Sequence, residues 1–188
     1  MDKMMNKFKF GNADLKGVYY DEENRRHLNT IRMQFAMSAM KLADNNRKED
    51  AKKLLERADK MMLQENFPYG LVSRGQKHNQ ISTQFYLATL KSGDSVLAAK
   101  VGASLRKDLN QQIAYFAALN EDQQAAISGE MISASKTAST SIITVKTYNW
   151  LVGCKGFSIP PILVVSLSMY LLYQLLEGYT STLIIKNK

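Results

Sequence analysis

The sequence predicts an all-α fold built from antiparallel helical hairpins. Three observations point to it. Apolar residues recur at spacings of three and four through most of the first 130 positions. Residues that cap helices stand at the starts of these periodic segments. The breaks between consecutive segments are mostly short, which forces neighbouring helices to fold back on one another. With 188 residues, 45% hydrophobic and 22% charged, the chain has enough apolar mass for one core and a tail. Three prolines and ten glycines are too few for a loop-dominated chain.

Residues 1–20 are expected to form an extended lead-in with turns, because Gly11, Asn12, Asp14 and Gly17 interrupt any helical period. Asp21 is placed as the N-cap of a first helix, with Glu22 and Glu23 in its first turn, where carboxylates favour the positive end of the helix dipole. Leu28, Ile31, Phe35, Ala39 and Leu42 form one apolar stripe, and Met33, Met37 and Met40 widen it. Asn45-Asn46 ends the pattern. Asn46 with Glu49 predicts a capping box opening a second helix, whose buried face is Ala51, Leu54, Leu55, Ala58, Met61 and Met62.

Asn66 to Asn79 contains Pro68, Gly70 and Gly75 and has no period, so a loop is expected. A third helix is predicted from about Gln80 to Ser92. Gly93-Asp94 then supplies a C-terminal glycine and an N-cap aspartate for a fourth. Its face comprises Val96, Leu97, Ala98, Val101, Leu105, Leu109, Ile113 and Phe116. Asn120 with Gln123 predicts another capping box, opening a fifth helix through Ala125, Ile127 and Met131.

The two hairpins compare as repeats of tetratricopeptide-like type, with Phe35, Ala39, Leu42, Ala51, Leu55 and Ala58 at the spacing of large and small positions. The second hairpin matches through Gly93-Asp94 and Ala98. Ala51 and Ala98 are 47 residues apart, about 13 more than the usual period of about 34. The loop around Pro68 to His78 accounts for the excess. The expected architecture is a tetratricopeptide-like solenoid over residues 21–129, then a divergent helical tail over 130–188.

Charge and composition narrow the function classes. The net charge of +8 is spread along the chain: residues 1–60 carry 14 basic and 10 acidic side chains, 61–120 six and three, and 121–188 five and four. No basic run interleaved with aromatics appears, so nucleic acid is not an expected partner. Cys154 is the single cysteine, which excludes an intrachain disulfide and a multi-cysteine metal site. The first seven residues lack the apolar run of a secretory signal. In the tail, a Ser/Thr-rich stretch from Ser133 to Thr147 precedes an apolar run, Ile162 to Leu176, behind Pro160-Pro161. At about 15 residues the run is marginal as a membrane span, which needs roughly 20, and it reaches that length only by recruiting flanking residues from Ile159 onward. Lys155, Lys186 and Lys188 flank it on both sides and leave orientation open.

Among candidate site residues, Asp21, Glu22 and Glu23 are explained by helix capping. Arg25 and Arg26 are candidates for clamping a phosphate or carboxylate, because a guanidinium forks onto such groups, although neighbouring helical residues point in different directions. His27 and His78 are the only histidines and lack clustered acids or thiols, so no metal or other cofactor is expected. The loop Phe67-Pro68-Tyr69-Gly70, with Tyr69, Arg74 and His78, is the candidate binding surface, because insertions between repeats project from a solenoid; a packed connector is the other reading of the same loop. No serine-histidine-acid set, phosphate-cradling glycine loop or cysteine nucleophile stands out.

Longer strings carry a resemblance. NKFKFGNAD from Asn6 and GVYYDEENRR from Gly17 closely resemble the start of the C-terminal domain in a family of bacterial multi-spanning membrane proteins described as protein O-mannosyltransferase-like. NRKEDAKK from Asn46, DKMM from Asp59, ENFPYG from Glu65 and RKDL from Arg106 also look like that domain, so the resemblance runs from about Asn6 to Gly129. It implies a tetratricopeptide-like domain on the extracytoplasmic side, following a membrane-embedded glycosyltransferase-like portion that holds the catalytic acids. The expectation is therefore a non-catalytic accessory domain whose partner is a protein or peptide, including the membrane portion itself. The alternative is a free-standing, cytoplasmic adaptor that binds a peptide or helix.

Overall fold

A computed structural model describes residues 2–153, and side chains through residue 140. Regular structure among the described residues is entirely helical. A π-helical turn at Lys3–Lys7 is followed by α1 (Glu22–Asp44), α2 (Lys48–Met61), a 3-10 turn at Arg74–Gln76, α3 (Lys77–Ser92), α4 (Ser95–Ala117), α5 (Glu121–Ala126) and α6 (Ser128–Gly153). The chain divides into two compact units, Met1–Ala138 and Ser139–Lys188, and the packing and site below belong to the first.

Local signals set the helix ends. Asp21 Oδ1 accepts from Asn24 N at 2.8 Å and starts α1. The turn into α2 differs from expectation, because Asn46 does not cap it. Asn46 has φ +59°, with its N–H on Ala43 O at 3.0 Å and Arg47 N–H on Leu42 O at 2.9 Å. These two bonds are a Schellman ending of α1, which needs a left-handed residue, and asparagine tolerates that conformation better than other side-chain-bearing residues. The helix α2 then opens at Lys48, and Glu49 pairs with Lys52 at 3.0 Å. The turn between α3 and α4 repeats the device. Gly93 has φ +78°, and Gly93 N and Asp94 N bond to Leu90 O and Thr89 O, both at 3.0 Å. Asp94 then caps α4 through Leu97 N at 3.0 Å. Asn120 and Gln123 form the expected reciprocal capping box.

The core follows from these hairpins. The helix α1 packs on both α2 and α3, α2 also touches α3, and α3 packs on α4. Phe35, Ala36 and Ala39 of α1 meet Ala51, Leu54, Leu55 and Ala58 of α2 in one buried cluster, with alanines at many of the buried positions. Each fully buried leucine or phenylalanine there stabilises by about 1.5–3 kcal/mol. Met37, Val96 and Ile113 are exposed instead. Their expected places are taken by buried polar residues: Asn29 and Arg32 on α1 and Gln112 on α4.

The lead-in is more structured than the expected extended segment. Phe10 and Ala13 are buried, and the rings of Phe8, Phe10 and Phe35 lie 5.3–6.0 Å apart. Arg57 of α2 donates to Met4 O at 3.1 Å and Phe8 O at 3.4 Å, while Leu63 N donates to Ala13 O at 3.0 Å. The predicted fifth helix is split: Ile127 leaves helical geometry (φ −114°, ψ 19°), and α6 restarts at Ser128. A β-branched residue followed by Ser128-Gly129 is a run of weak helix formers. The Ser/Thr-rich stretch lies within α6, where Thr137 Oγ1 donates back to Ser133 O at 2.9 Å. The apolar run at 159–176 lies outside the described residues. Among the described residues, no helix is long and apolar enough to cross a membrane.

Candidate functional site

Two polar assemblies are built into the first unit, one sealed and one open. The sealed one centres on Arg32, which is fully buried on α1. Its guanidinium lies 4.1 Å from the Phe67 ring centroid and 4.6 Å from that of Tyr69. It donates to Phe67 O at 2.9 Å, and to Pro68 O and Ser82 Oγ at 3.1 Å each. The loop carbonyls and aromatic faces thus solvate a charge that pairs with no carboxylate among the described residues. Burial lowers the Arg32 pKa to about 10, so it remains a cation at neutral pH.

His78 closes this assembly from the start of α3. Its Nε2 stands 2.8 Å from Pro68 O, which requires a hydrogen between them, so Nε2–H donates and Nδ1 accepts from Asn29 Nδ2 at 3.2 Å. Arg32 Nη1, 3.2 Å from Nε2, therefore faces it as a second N–H, with its own hydrogens directed to Pro68 O and Ser82 Oγ. Burial first, and the Arg32 charge second, lower the His78 pKa to about 3. Tyr69 stacks on Phe85 at 5.4 Å and donates its hydroxyl to Asp59 Oδ1 at 2.8 Å, where Lys100 also binds. Burial raises the Tyr69 pKa well above its ordinary value.

Gly70 completes the connector. Its N–H donates to Ser104 Oγ at 2.9 Å, and a Cβ there would stand 2.4 Å from Ser104 O and 2.7 Å from Asp108 Cβ. Residues 67–70 therefore do not project from the hairpins. They fasten α1 through Arg32, α2 through Asp59, α3 through Phe85 and His78, and α4 through Ser104.

The open assembly begins where this connector ends. Gly75 and Gln76 both have left-handed backbones, with φ +61° and +58°, and the second is a non-glycine conformation that costs about 1–2 kcal/mol. Contacts of the buried Gln76 side chain offset that strain. Gln76 donates to Gln112 Oε1 and accepts from Asn79 Nδ2 at 2.9 Å. Gln112 Nε2 and Asn79 Nδ2 both donate to Asp108 Oδ2, at 2.6 and 2.8 Å. Asn79 Oδ1 in turn holds Leu71 N at 3.1 Å. Ser73 Oγ accepts from His78 N at 2.9 Å, and α3 starts at Lys77, earlier than the expected Gln80. This polar network borders a groove of about 560 Å³ between the 72–76 segment, one face of α4 (Asp108, Gln111, Gln112, Tyr115, Phe116), and Ile127 with Glu130.

The sequence candidates fall into three places. Tyr69 and His78 are buried in the sealed assembly and face no solvent. Arg74 lines the groove. Arg25 and Arg26 sit at the start of α1, away from the groove lining. Arg26 is exposed and paired with Glu23, while Arg25 contributes to the positive field on His78. The residues that sequence reasoning missed are Arg32, Asp108 and Gln112. Their signal was phase: Leu28, Arg32, Phe35 and Ala39, like Leu105, Asp108, Gln112 and Phe116, continue the three-four rhythm with polar residues. Among the described residues no group of three or more His, Cys, Asp and Glu side chains could hold a metal ion. No family model, curated protein or solved structure matches the chain.

Proposed function

We propose that this chain is a non-catalytic accessory domain of a protein O-mannosyltransferase-like membrane protein, positioning the membrane portion or its acceptor through protein contacts. The observation that carries this reading is how the resembling motifs are used. Phe8 and Phe10 brace the lead-in against α1, and Phe67 and Tyr69 solvate Arg32. These aromatic residues of the resembling strings are thus committed to the scaffold. The packing order, with α1 on α2 and α3, and α3 on α4, supports two stacked hairpins of tetratricopeptide type. On this reading the domain lies on the extracytoplasmic side.

A second reading, a free-standing adaptor, draws support from the groove, whose lining among the described residues leaves Tyr115 and Val72 open to a partner. Co-expression with the multi-spanning portion, followed by purification in mild detergent, separates the two. A stoichiometric complex is the expected result. A chain that elutes alone, leaving the membrane portion behind, overturns accessory status in favour of the adaptor. Sugar transfer by the purified chain alone would overturn both.

A further inference from the structure

From the groove beside α4, we infer that this chain binds a protein segment through a lysine or arginine side chain, which lies along the Tyr115 and Phe116 surface with its cation on the carboxylate of Asp108. The inference deepens the protein-contact reading above and rests on it. Asp108 is partly exposed in the groove lining. Both of its hydrogen bonds, from Gln112 and Asn79, arrive on Oδ2. Among the described residues its Oδ1 accepts none and no cation pairs with it. A carboxylate held in one orientation, with one oxygen uncommitted, is a preorganised receptor for an N–H cation.

The walls suit the stem of such a side chain. Tyr115 and Phe116, with ring centroids 5.7 Å apart, offer aromatic surface to a methylene chain and a cation. Tyr115 is 60% exposed and Val72 62% exposed, so this apolar surface is open to a partner. Glu130 adds a second negative charge at the border, making the lining acidic within a chain of net charge +8. Arg74, the lining's cation, complements the carbonyl groups of a peptide backbone crossing the rim. Gln76 holds its strained conformation to seat the amide network that aims Asp108.

The test uses blocked, fluorescein-labelled hexapeptides identical except for a central lysine, norleucine or glutamate, titrated into the full chain by anisotropy, with amide shifts mapped by NMR. The expected result is a preference of about tenfold for lysine over norleucine, weakening with salt, and shifts confined to residues 71–76 and 108–116. The Asp108→Asn substitution is expected to abolish the preference while leaving norleucine affinity unchanged, and Glu130→Gln to reduce it partly. Equal affinities, no binding by any peptide, shifts elsewhere, or a preference that survives Asp108→Asn overturn the inference. So does self-association of the chain through this face. If Asp108→Asn still co-purifies with the membrane portion, accessory status stands and only the side-chain assignment fails.

Discussion

Protonation of His78 is the perturbation whose cost can be worked most directly. In the folded chain its pKa is lowered to about 3 by burial and by Arg32, whereas an unfolded histidine titrates near 6.5. The folded state therefore binds fewer protons than the unfolded state between these values, and stability falls as pH falls through that window. Stability is fully present above about pH 6.5 and reaches its floor near pH 3. The full difference of about 3.5 pKa units corresponds to about 5 kcal/mol, of which about 2 kcal/mol is lost by pH 5. The assay is urea unfolding followed by far-UV circular dichroism from pH 7.5 to 4.5, for the natural chain and for His78→Gln. Glutamine can still donate to Pro68 O but does not titrate. The variant is expected to be less stable at pH 7.5, with its deficit shrinking by about 2 kcal/mol at pH 5 as the natural chain alone loses stability. A deficit constant across this range would refute the assignment of a buried, neutral, Nε2-protonated His78 beside Arg32.

Substitutions at four further positions probe the scaffold. Arg32→Met fills similar space but leaves the Phe67 carbonyl without its donor and Pro68 O with His78 alone, and is expected to cost about 3–5 kcal/mol in urea unfolding. Gly70→Ala forces a Cβ to within 2.4 Å of Ser104 O and should cost about 2–4 kcal/mol, whereas Gly129→Ala, with open space around its Cβ, should be neutral or stabilising by up to about 1 kcal/mol. Asn46→Ala is expected to lower stability by about 1 kcal/mol and Asn46→Gly to be near neutral, because the site needs a left-handed backbone and no side-chain cap; the reverse order, measured by thermal unfolding, would restore the capping box.

What the sequence determined by itself was local. Asp21, Asp94 and the Asn120–Gln123 pair set helix starts because a cap bonds within three residues of itself, and the apolar rhythms marked most of the buried faces of α2 and α4, but in α1 only Leu28, Phe35 and Ala39. Asn46 shows the limit: both a cap and a left-handed turn are written with asparagine, and the three-residue turn selected the second. The tertiary structure decided what depended on distant partners. Arg32 is legible as a charge in phase with a core stripe, but its burial needs carbonyls 35 and 36 residues away, supplied only when the 67–70 connector folds inward. Of the two readings of this insertion, a projecting loop and a packed connector, its first four residues follow the second and brace four helices, since a buried cation draws nearby carbonyls to it. The groove likewise exists only where the 72–76 segment, α4 and the start of α6 converge, and spacing along the chain does not encode that meeting.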